Sequence, residues 1–172
     1  MSHRSLLKVS LETDWDSGVK DANTLTFAEY FEDGNGANQA DGSWHVEDQS
    51  LADGVSTTLD LSALTRTVLG DTLTTEFMTI RGILIVQTSA TWAAELVVGG
   101  AASDEWSYPF SADGDKANIP PDSPWLVCNR QWGWAVDSAH KNLKLEASGG
   151  DVTYSIVIVG TITTSGTGSS GT

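Results

Sequence analysis

Short apolar runs separated by turn residues dominate this chain, and period-two alternation outweighs helical spacing. Residues 141–147 (KNLKLEA) place Leu143, Leu145 and Ala147 on one face and Lys144 and Glu146 on the other. The Gly-rich turn Ser148-Gly149-Gly150-Asp151 follows, then 152–159 (VTYSIVIV), so the pattern predicts a β-hairpin. Its second strand turns apolar on both faces and is expected to be central and covered on both sides. A second strong strand is predicted over 79–88 (TIRGILIVQT), with Gly82 marking a bulge or a close backbone approach. Residues 93–98 (AAELVV) are expected to be its hairpin partner across a turn at 89–91. Weaker strands are predicted at 6–13, 43–51, 56–61, 125–128 and 132–136, and short helical turns at 61–69 and 25–31. The sum is an all-β chain forming an antiparallel β-sandwich, jelly-roll-like in type. An extended N-terminal arm (1–23), the sandwich domain (24–162) and a flexible Gly/Ser/Thr C-terminal tail (163–172) are expected.

The length of 172 residues fits one domain with short arms. One cysteine, Cys128, excludes an intramolecular disulfide framework and a Cys-rich zinc site. Beside Trp125 and Val127, its thiol is expected to be buried and inert. Nine basic residues against 23 acidic ones give a net charge of -14, which repels phosphate backbones and argues against a nucleic-acid partner. No run is long and apolar enough for a membrane span or a signal-peptide core, so a soluble protein made in a cytoplasm is expected.

Catalytic motifs are not apparent. The phosphate-cradling and dinucleotide loops, the G-x-S-x-G elbow and H-E-x-x-H are all missing, and His3, His45 and His140 are scattered. Asp33, Asn35, Asn38 and Asp41 form an oxygen-rich turn, but Ala37, Asn38 and Trp44 stand where a calcium loop needs an oxygen ligand, glycine and a glutamate. That turn, like Asp113-Gly114-Asp115, reads as Asx-type local bonding. No metal and no cofactor are expected. The seven tryptophans are the remaining chemistry. Trp125, Trp132 and Trp134 cluster in WLVCNRQWGWAV, and Trp132 and Trp134 are expected on one face of a strand. They suit core or intersubunit packing, and, if exposed, a sugar-stacking platform.

Several stretches together resemble the small β-rich virion proteins of tailed bacteriophages. They are 25–36 (LTFAEYFEDGNG), 57–61 (TTLDL), Gly70-Asp71-Thr72-Leu73-Thr74 leading into 80–86, 96–103 (LVVGGAAS) and 142–161 (NLKLEASGGDVTYSIVIVGT), spanning about residues 24–162. The resemblance implies a capsid decoration (cement) protein without catalysis, set on the outer capsid surface of the virion. Its partners would be the major capsid protein and itself as a homotrimer, the oligomer suited to threefold positions of a shell. Leu6, Leu7 and Val9 of the arm and Thr163 and Thr164 of the tail are the expected capsid or neighbour contacts. Trp125, Trp132 and Trp134 are the expected packing residues. A tail or fibre component and a glycan-binding β-sandwich are the competing readings.

Overall fold

The computed structural model describes residues 5–16 and 20–163. Every regular element among them is a β-strand. In chain order these are β1 (Ser5–Asp16), β2 (Lys20–Phe31), β3 (Gly42–Leu51), β4 (Ser56–Asp60), β5 (Leu64–Val68), β6 (Asp71–Thr75), β7 (Phe77–Gln87), β8 (Glu95–Gly99), β9 (Lys116–Ile119), β10 (Ser123–Cys128), β11 (Trp134–Ala135), β12 (Asn142–Ser148) and β13 (Val152–Ile162). All strand pairings are antiparallel. The two helical turns expected at 25–31 and 61–69 are instead parts of β2 and β5. Thr with Phe and Tyr at 25–31, and Thr with Val at 61–69, favour pleated backbone over a helical turn.

Two sheets enclose the core. One runs β10-β7-β13-β3, with β11 also paired to β7, and the other runs β4-β12-β8-β9. Ile83, Ile85, Ile156, Ile158 and Trp44 from the first meet Leu143, Leu145, Ala147, Leu96 and Val98 from the second, all buried. Two two-stranded ribbons, β1-β2 and β5-β6, stand off this sandwich. The indole N–H of Trp44 donates to the Thr65 carbonyl at 3.1 Å and ties β5 to β3.

Both expected hairpins are corrected. β12 and β13 follow each other in sequence but lie in different sheets, β12 between β4 and β8, β13 between β7 and β3. The Ser148–Asp151 segment is therefore a crossover between layers. Gly149 (φ +76°) passes so close to Ala93 that a Cβ would lie 2.2 Å from its carbonyl oxygen, a contact that only glycine permits. Likewise β8 pairs with β12 and β9 rather than with β7. Alternation shows which face a strand buries; it does not say which sheet receives it. The central position expected for β13 is observed.

The bulge anticipated near Gly82 is present one residue earlier. Val159 pairs with Gly82 and Gly160 with Ile80, leaving Arg81 as the extra residue. Ile80 and Ile83 are three apart yet both fully buried, which strict alternation forbids without such an insertion. β2 runs through positions 23 and 24, so the N-terminal arm is one strand of a ribbon ending at Phe31.

Candidate docking face and arm

The outward face of the β10-β7-β13-β3 sheet is unusual for so acidic a chain. Pairing lays out three rows across it. The first is Cys128, Gly82, Val159 and Ser43. The second is Leu126, Leu84, Val157 and His45. The third is Pro124, Val86 and Ser155. None of these residues is a carboxylate; the third row ends on β3 at the bulge opposite Ser155, where Glu47 faces outward and the Asp48 amide donates to the Ser155 hydroxyl at 3.1 Å. β7 and β13 are apolar on both faces here because one face makes the sandwich core and the other makes this surface. Leu84 and Val157 remain partly open to solvent.

The β1-β2 ribbon lies against this face by its base. Ser5, Leu7 and Phe31 line a cleft of about 120 Å³ with Leu84, Leu126, Val157 and Val159. Farther out, Leu7 and Val9 overhang Leu84, Pro124 and Leu126 across a second opening of about 290 Å³. Register puts Leu7 opposite Glu29, Val9 opposite Phe27 and Ser5 opposite Phe31, so these residues share one side of the ribbon. Lys8, Ser10, Ala28 and Thr26 occupy the other side. The ribbon is thus amphipathic. Its apolar strip continues past the sandwich, where Phe27 is 50 % and Leu25 75 % exposed.

Arg130 fixes the ribbon base. Its Nη2 donates to the Tyr30 carbonyl at 3.0 Å and lies 3.3 Å from the Glu29 carboxylate, while Nη1 donates to the Asn38 side chain at 3.3 Å. Arg81, buried at the bulge, donates from Nη1 to the Gln131 carbonyl at 2.7 Å and from Nη2 to the Gly36 carbonyl at 2.9 Å. Burial pulls its pKa down, yet a guanidinium stays charged in any protein setting. The two arginines lock the 33–41 and 129–133 loops beneath the ribbon.

No protein-family model, curated protein or solved structure matches the chain. Its role is therefore to be read from its own residues.

The expected contact residues divide. Leu7 and Val9 line the cleft; Leu6 reaches its rim although it pairs with Tyr30 on the polar side of the ribbon. Thr163 is held by a 2.9 Å bond from its amide to the Glu76 carbonyl, and Thr164 lies outside the described residues. Trp125 is half-buried on the core side, stacked on Phe110 with ring centroids 6.1 Å apart. Trp134 is half-buried and meets the fully buried Trp106 edge-on at 5.9 Å. Trp132 does not share a strand face with Trp134. It sits in the turn before β11, 70 % exposed, because Gly133 turns the backbone through φ +70° between them.

The other polar groups have local work. In the oxygen-rich turn, Gln39 accepts from the Gly36 amide at 2.8 Å and Asp41 from the Ile162 amide at 2.8 Å. Asp113 accepts from the Ser107 hydroxyl and Asp115 from the Ala112 amide at 2.9 Å. A carboxylate that the sequence did not flag is Glu105, buried and accepting from the Gly100 amide at 2.5 Å and the Gly114 amide at 2.7 Å. Cys128 is on the surface rather than in the core. Its strand pairs it with Gly82 on the outward face. Desolvation still pushes its thiol up, against the Arg130 amide and charge that pull it down, so little thiolate forms near neutral pH.

Residues that sequence reasoning missed are Leu84, Leu126, Val157, Leu25 and Phe27. The available signal was the two-faced apolarity of 83–86 and 156–159, which marks strands covered on both sides.

Proposed function

We propose that this chain is a structural assembly protein, acting as a capsid decoration (cement) protein of a tailed bacteriophage that binds the outer shell as a trimer. The supporting observation is the pairing of an apolar sheet face, its Glu47 confined to the β3 edge, with a ribbon projecting from it that exposes Leu25 and Phe27, in a chain of net charge -14. Exposed apolar area of this kind marks a contact surface. A two-stranded ribbon alone is marginal in water and gains stability from a partner. The net charge of -14 keeps a densely covered particle soluble. The family resemblance over residues 24–162 supplies the shell as the partner.

The test is add-back. Purified protein is mixed with shells built from the major capsid subunit and centrifuged. Saturable co-sedimentation, weakened by Leu84→Asp in a folded variant, is expected. Absence of binding to any such shell would remove the decoration reading.

Two exposed indoles, Trp92 at 89 % and Trp132 at 70 %, favour the glycan-binding alternative as single stacking sites. Trp92 lies in the connection from β7 to β8 and Trp132 in the turn between β10 and β11, so they sit on separate loops. Quenching of tryptophan emission by a soluble sugar would promote that reading.

A further inference from the structure

The ribbon and its cleft specify an occupant. The larger opening, about 290 Å³, is lined by Leu7, Val9, Leu84, Pro124 and Leu126, with Lys8 and Ser10 on the ribbon side. An apolar cavity of roughly 150 Å³ holds one benzene ring, so this one has room for a phenyl and an isobutyl group together. Leu25 and Phe27 are such a pair, on one side of the ribbon, and they are the most exposed part of its strip. Residues 164–172 carry no apolar side chain to fill the cleft.

Charge selects among outside partners. A basic partner is recognised by carboxylates spread over its docking face, and the centre of this face on β10, β7 and β13 has none, Glu47 standing at its β3 edge, although the chain holds 23 acids. Removing like charge from a contact is what an acidic partner requires, and another copy of this chain is one. The strip is also continuous with the intramolecular contact in which Leu7 and Phe31 already lie on the same sheet.

We infer that Leu25 and Phe27 of one copy seat in the Val9–Leu84–Leu126 cleft of a second copy. This deepens the assembly reading and rests on it. The contact joins Leu25 and Phe27 of one copy to Leu84 and Leu126 of another, so it is heterologous, and the proposed trimer is the case in which three such contacts close into a ring.

The experiment is light scattering of the full chain after gel filtration, with far-UV circular dichroism as the folding control. The wild type is expected to be an oligomer. Leu25→Asp/Phe27→Asp removes the strip and Leu126→Asp blocks the cleft. Each is expected to weaken association by about 100-fold or more, as loss of buried anchors does, and to run as a monomer. Mixed together they should recover a 1:1 pair, because one intact strip and one intact cleft remain. Leu69→Asp, on the fully exposed tip between β5 and β6, should leave the mass unchanged. A monomeric wild type at all concentrations, unchanged mass in both variants, or monomeric variants that fail to recombine would each overturn the inference. If the double variant does not fold, Phe27→Ser read by the same masses decides. A wild-type monomer that still binds shells would assign the strip to the shell and leave the decoration reading standing. A trimer that binds no shell would do the reverse.

Discussion

The two sheets of this sandwich share one core but present opposite exteriors. Outside β4-β12-β8-β9, the outward positions are mostly polar, Val97 between Glu146 and Asn118 being the apolar one on β8. Lys144 and Glu146 pair at 2.6 Å, Asn118 donates to Glu95 at 2.9 Å, and Lys141 meets Asp60 at 3.3 Å. Outside β10-β7-β13-β3, the same alternation places Leu126, Leu84, Val157 and Val159 with no carboxylate among them. Sheet folding needs only one apolar face. The first sheet shows what the fold requires; the second apolar face is covered in part by the base of the β1-β2 ribbon, and what the ribbon leaves open is the surface proposed for contact.

The sharpest way to break this comparison lies within one strand. Ile85 is fully buried and Leu84, beside it, faces outward. Ile85→Ala is expected to cost about 2–5 kcal/mol by denaturant unfolding, and Leu84→Ala under about 1 kcal/mol. Equal costs would mean that the outward face is ordinary core. Next comes the crossover that separates the two sheets. Gly149→Ala combines positive φ with a 2.2 Å approach to the Ala93 carbonyl. A loss of about 1–3 kcal/mol is expected, and a neutral result would contradict the close layer crossing.

Charge effects on the hydrated exterior are smaller. Burial alone would raise the Asp60 carboxyl, but the Ser62 hydroxyl at 2.5 Å, the Ser62 amide at 3.0 Å and Lys141 at 3.3 Å hold it below the ordinary 3.8. A depressed folded pKa contributes stability above the unfolded value, lost as pH falls through the folded one. Asp60→Asn should therefore melt below the wild type at pH 7, with the gap closing as pH drops below 3.8. A gap independent of pH would argue that shape, not charge, holds that corner. The smallest effect is expected for Lys144→Ala, whose solvent-screened pair with Glu146 adds little to stability, so its melting curve should nearly overlay that of the wild type. A larger loss would mean that this exterior also depends on specific contacts.

The strands were legible because alternation is local. Residues 43–51, 79–88, 125–128, 141–147 and 152–159 all lie on or within a residue of observed strands. Strand partnership was not legible. A Gly-Gly turn between 147 and 152 suits a hairpin and a layer crossover equally, and only the Ala93 contact distinguishes them. Of the site, Leu7 and Val9 were expected in the contact set and do line the cleft. Leu84, Val157 and Leu126 were hidden because an outward apolar residue and a core residue look alike when both faces of a strand are covered. The tryptophans misled for a related reason. Gly133 breaks the alternation, so Trp132 points to solvent while Trp134 packs on Trp106.

Hydroxyl-radical footprinting of side chains, at concentrations below and above those at which the chain associates, tests the central claim most directly. The account predicts protection of Leu25, Phe27, Leu84, Leu126 and Val157, with Val97 on the opposite sheet unchanged. Protection at Val97 and its neighbours, with the ribbon and the β10-β7-β13-β3 exterior still reactive, would contradict it.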